Sequence, residues 1–147
     1  MPTPLERPEP PAIATPLAFP GTTVVAVFGP GERAFAEAIR AARPEAALVE
    51  ATLRHAASWE PRDGGVVAHP DALLDALKEA WPAGPLVVGI GAAFAVAVKA
   101  TVVVWIADGL PLLALPAPLR AVARDAALVL EEARPGAAEA LARELTG

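Results

Sequence analysis

VVAVFGPGERAFAEAIR, residues 24–40, joins an apolar run to a glycine turn and then to an amphipathic segment. TTVVAVF (22–28) has the β-branching and length of a strand. Residues 32–43 have helical spacing: Phe35, Ala38, Ile39 and Ala42 fall on one face, and Arg33, Glu37 and Arg40 fall opposite. Pro44 stops that helix. A strand that feeds a helix through two glycines is the opening of a parallel α/β unit.

Outward from this unit the alternation continues. AALVEA (46–51) reads as a strand, LRHAASW (53–59) as a short helix, EPRDGG (60–65) as a turn and VVAH (66–69) as a short strand. Pro70 suits the first position of a helix that runs to Trp81 and buries Leu73, Leu77 and Trp81. LVVGIG (86–91) and TVVVWIA (101–107) read as strands; residues 92–100 between them could continue the first strand or form a buried helix, and the glycine turn before them favours the helix. Residues 119–124 form a short helix, 126–132 a strand, and 135–145 a last helix in which Glu139 and Arg143 stand four apart. The expected fold is α/β: a three-layer, Rossmann-like, mostly parallel sheet of about six strands with helices on both faces. It occupies residues 22–147. Residues 1–21 hold seven prolines before Gly21 and form an extended arm, with Ile13, Leu17 and Phe19 able to lie on the domain.

The turn Gly29-Pro30-Gly31-Glu32-Arg33-Ala34 has the spacing G-x-G-x-x-A after a strand and before a helix. Glu50 ends the second strand 21 residues after Gly29. Over residues 22–51 the chain resembles a Rossmann dinucleotide-binding half. The resemblance implies that the amides of Gly31 to Arg33 face a pyrophosphate, that Ala34 lets helix and strand pack closely, and that Glu50 accepts from a ribose. NAD(P) or another nucleotide is the implied cofactor. Two residues depart from the pattern: Pro30 removes an amide donor, and Glu32 adds a negative charge near the helix N-terminus. The same outline also resembles a degenerate P-loop. Ala34, Phe35 and Ala36 stand where glycine, lysine and a hydroxyl would be, so nucleotide hydrolysis does not carry over. A third reading is a structural corner that binds nothing.

Ligands of parallel sheets sit beyond the carboxyl ends of the strands. Those ends supply Gly29, Gly31, Glu32, Arg33, Ala34, Glu50, Gly89, Gly91 and Asp108 as candidate binding residues, with His69, Asp71, Glu131 and Glu132 nearby. His69-Pro70-Asp71 with His55 is the one metal-like set, and capping of the following helix accounts for it as well.

Composition narrows the chemistry. The 147 residues include no cysteine, tyrosine, asparagine or glutamine, one serine (Ser58) and two lysines. Thiolate catalysis and disulfides are excluded, and Ser58 lies in no nucleophile elbow. A net charge of −5 offers no field for nucleic acid or anionic lipid. The uncharged run 86–98 falls short of the roughly twenty residues a membrane span requires, and Lys99 follows it. A cytoplasmic domain without a membrane or nucleic-acid partner is expected. Two functions fit: a binding or accessory domain for a nucleotide or other small phosphorylated ligand, not a stand-alone enzyme, or a non-catalytic module that uses the arm and the apolar loop 110–119 to hold a protein partner or form a homo-oligomer.

Overall fold

A computed structural model describes residues 16–50, 57–59, 66–68, 74–75, 77–79, 81–115 and 117–145. The main sheet has five parallel strands: β1 (Thr23–Phe28), β2 (Ala47–Glu50), β5 (Leu86–Ile90), β6 (Val102–Ile106) and β7 (Leu128–Leu130). Their order is β2-β5-β1-β6-β7. Four helices accompany them: α1 (Glu32–Ala42), α2 (Ala92–Ala97), α3 (Ala117–Arg124) and α4 (Pro135–Glu144). Residues 74–75 and 77–79 are also helical.

Among the described residues the main sheet has five strands, and a sixth is not seen in it. Residues 57–59, expected to be helical, form strand β3 (Ala57–Trp59), and it pairs antiparallel with β4 (Val66–Ala68) in a separate two-stranded sheet. The reason is chain length. Only six residues separate β3 from β4, and a parallel partner needs a crossover of roughly a dozen or more. Ile13 of the arm, residues 53–56 and 69, and Leu73 of the expected helix lie outside the described residues. Leu77 of that helix is buried and Trp81 half-buried.

β1 is the centre of the core. Val24 to Phe28 are at most 2% exposed, because β1 has a strand on each side and apolar residues pointing both ways. Val24, Ala26 and Phe28 join α2, α3, Leu77 and Trp105 in one cluster. Val25 and Val27 join Phe35, Ala36 and Ile39 of α1 and Ala138 and Ala142 of α4 in the other. The α1 stripe is rotated from the expected one: Ala36 is buried, Ala38 half-buried and Ala42 exposed, since α1 packs on α4 as well as on the sheet. The helix expected over 92–100 ends at Ala97, and Val98 is instead bridged to Leu17 of the arm. The Leu17 amide donates to the Ala97 carbonyl at 2.8 Å, and the Lys99 amide donates to the Leu17 carbonyl at 2.8 Å. Phe19 stacks on Trp81. None of the described helices is long and apolar enough to cross a membrane.

Two contacts fix the outer elements. Arg43, one residue past α1, donates to the carbonyls of Ala142 (3.0 Å) and Leu145 (2.8 Å), and its Nε donates to Glu45. One side chain thus satisfies carbonyls that the end of α4 leaves open. On β5, a Cβ at Gly89 would lie 2.0 Å from the Phe94 ring, so glycine is what lets α2 lie down on the sheet.

Arg43→Ala is expected to lower stability by about 1.5–3 kcal/mol, the range for hydrogen bonds to a charged group, in urea denaturation. Gly89→Ala is expected to lose about 1–3 kcal/mol through overpacking, with a loss below 0.5 kcal/mol counting against the close α2 contact.

Candidate functional site

The carboxyl edge is built from the β1–α1 turn outward. Gly29 has φ +119 and Gly31 φ +80, backbone that L side chains rarely adopt. At Gly29 a Cβ would meet the Ile106 carbonyl oxygen at 2.1 Å, and at Gly31 the Cβ of Ala133 at 2.7 Å. Both glycines therefore serve close packing against the end of β6 and the loop before α4.

Glu32 opens α1 and folds back on the turn. Its carboxylate accepts from the Gly29 amide at 3.1 Å, and its own amide donates to the Gly29 carbonyl at 3.1 Å. The pair resembles a capping box in its three-residue spacing, with the Gly29 backbone carbonyl as acceptor in place of a capping side chain and with Gly31 as the N-cap. Among the described residues, no acceptor is hydrogen-bonded to the amides of Gly31, Arg33 or Ala34.

Arg33 forms an ion pair with Glu50 at the end of β2. β5 lies between β1 and β2, whereas in the dinucleotide-binding order the second strand lies beside the first. Glu50 is thus one strand farther from the turn than that pattern puts it, and Arg33 spans the gap. Farther along the edge, the Gly91 amide donates to the Val27 carbonyl at 2.9 Å. Asp108 has φ 48, and Gly109 after it donates its amide to Glu131 at 2.7 Å. Glu132 pairs with Arg134 at 3.0 Å.

Gly29, Gly31, Glu32, Arg33 and Glu50 therefore come together. Gly91 and Asp108 end the two strands that flank β1, and Ala34 lies exposed on α1. Gly89 does not reach the edge; it is buried beneath Phe94. His55, His69 and Asp71 lie outside the described residues, and among the described residues no three histidine or acidic side chains are grouped to hold a metal. Sequence reasoning missed the return of Glu32 to Gly29 and the link from Glu131 to Gly109. The first had a signal: an acid three residues after a turn residue is capping-box spacing. The second had none, since it joins residues 22 apart.

Electrostatically this edge favours neither phosphate nor another anion. Glu32, Glu50, Asp108, Glu131 and Glu132 lie on it, and Arg33 and Arg134 are each paired with one of those acids. Burial pushes the Glu32 carboxyl above the ordinary range, helped by the nearby Glu50 charge, while the Gly29 amide and Arg33 pull it down. Against family models, curated proteins and solved structures, nothing matches this chain.

The raised Glu32 value sets a pH dependence. The folded state holds this proton more tightly than the unfolded chain, so ionisation costs the folded state. That cost is absent below the ordinary carboxyl value and complete above the raised one. Glu32→Gln keeps an oxygen for Gly29 without the charge. Its melting temperature relative to the unsubstituted chain is expected to rise as pH climbs from the ordinary carboxyl value through the raised one and then level off. An offset that does not change with pH would contradict this.

Proposed function

We propose that this chain is a non-catalytic protein-interaction module on a three-layer, Rossmann-like fold with a degenerate nucleotide-binding turn. The observation that carries this reading is the Glu32 carboxylate on the Gly29 amide: the turn supplies its own anion. The Arg33–Glu50 pair supports it further, since the Glu50 carboxylate that a ribose would recruit already holds Arg33. The chemistry of the turn supports it too, because residues 29–36 contain no lysine and no hydroxyl.

The surface for a partner lies in the crossover from β6 to β7. Leu113 is 77% exposed, Leu110 44% and Val129 54%, and these are the large exposed apolar side chains of the described residues. Leu112 and Leu115, in the same loop, pack into the core and hold a 3-10 turn (Leu112–Ala114) that presents Leu113 outward. Burying one such leucine against a partner contributes about 1.5–3 kcal/mol.

A second reading is a binding domain for a small phosphorylated ligand. One observation favours it: the amides of Gly31, Arg33 and Ala34 open an eleven-residue helix without a bonded acceptor.

Thermal melting with millimolar NAD, NADP, ATP, GTP and inorganic phosphate distinguishes the two. The interaction reading predicts no shift with any of them. It also predicts that Leu113→Glu leaves the melting temperature within a degree or two while abolishing a complex captured by crosslinking at that loop. A ligand at a hundred times its dissociation constant adds about 2.7 kcal/mol. A rise of several degrees with any of them would overturn the interaction reading in favour of the second.

A further inference from the structure

α1 and α4 pack side by side on the cluster that contains Val25 and Val27. Their outer surfaces leave a groove of about 550 Å³, lined by Ala38, Ala41 and Ala42 of α1 and by Pro135, Glu139 and Arg143 of α4. Its α1 wall is entirely alanine, so nothing there prevents close approach and no long side chain is immobilised when the groove fills.

The charges on the α4 wall identify what fits. Glu139 and Arg143 are one turn apart, in the order that favours an ion pair along a helix. Both are exposed, yet neither has a hydrogen-bond or ion-pair partner among the described residues. One acid and one base on a single helix, equally spaced about residue 141, are self-complementary under a two-fold axis there. With a second α4 laid antiparallel, each Glu139 faces the other copy's Arg143. No parallel or offset arrangement satisfies both charges at once.

We propose that the α1–α4 groove is a self-association surface, occupied by the same face of a second copy of this chain across a two-fold axis near residue 141. This goes beyond the reading of the 110–115 loop and does not depend on it. That loop adjoins the other core cluster, so an assembled pair keeps Leu113 available. α1 and α4 are only about 16 Å long at 1.5 Å per residue, and two such helices present a face at the small end of specific interfaces. The pair is therefore weak, with a dissociation constant on the order of micromolar, and salt loosens it because its specificity is electrostatic.

Sedimentation equilibrium of the full chain, from micromolar to millimolar, tests the proposal. A dimer that weakens with added salt is expected. Glu139→Arg and Arg143→Glu should each weaken it at least tenfold, since each sets like charges across the axis. Mixing these two single variants should restore association as a heterodimer, because every facing pair is then opposite in sign. The double exchange, Glu139→Arg with Arg143→Glu, should restore the homodimer. Both positions are exposed, so circular dichroism melts should match the unsubstituted chain. For a variant that does not fold, Ala41→Arg, which fills the groove, gives the same reading by blocking the dimer. A monomer throughout the concentration range would overturn the proposal, as would single reversals with unchanged association or a mixture that fails to recover it.

Discussion

The β1–α1 corner depends on one close approach: Gly29 against the end of β6. A Cβ at residue 29 would lie 2.1 Å from the Ile106 carbonyl oxygen, so no other residue fits while β1 and β6 keep their register. The register in turn sets Phe28 beside Trp105. Gly29 has φ +119, Gly31 takes the left-handed conformation, and α1 begins at once. With so short an entry, the Glu32 side chain reaches back to the Gly29 amide. Packing and polar satisfaction therefore share one cause. The glycines are explained by what they touch within the protein, and no ligand is needed to account for them.

The fold is separable here from the chemistry often found on it. A parallel sheet places turns, helix N-termini and strand ends along one edge whether or not anything binds there. Here the polar groups of that edge are largely occupied by one another: Glu32 with Gly29, Arg33 with Glu50, Gly109 with Glu131 and Glu132 with Arg134. A phosphate at the open amides of Gly31, Arg33 and Ala34 would enter a neighbourhood of like charge. Apolar exposure, by contrast, is concentrated at Leu110, Leu113 and Val129, in and just after the β6–β7 crossover. The partly buried acid on one side and the uncovered leucine on the other are the observations on which the proposed interaction reading rests.

Much of the architecture was legible because hydrophobic period and glycine punctuation are local signals. β1, α1, β2, β5, β6 and α4 fall within a residue or two of their expected positions. The 57–59 segment was not legible. Ala-Ser-Trp carries little propensity of its own, and pairing with 66–68 decides its state. Sheet order is likewise a non-local property: nothing in Glu50 or Gly29 says that β5 will lie between their strands. At the turn, the G-x-G-x-x-A spacing correctly marked tight backbone, but packing against Ile106 and Ala133 requires the same glycines that a pyrophosphate would. Spacing alone does not distinguish these uses; the direction of the Glu32 side chain does.

The claim that Glu32 occupies the Gly29 amide from within the turn is tested most directly by following the Gly29 amide resonance through a pH titration in two-dimensional NMR. If the Glu32 carboxylate accepts from this amide, the Gly29 signal moves with an inflection above the ordinary carboxyl range and coincident with that of the Glu32 side-chain carbon, and Glu32→Gln abolishes the movement. A Gly29 resonance that ignores the titration of Glu32, or that moves only when phosphate is added, would contradict the account.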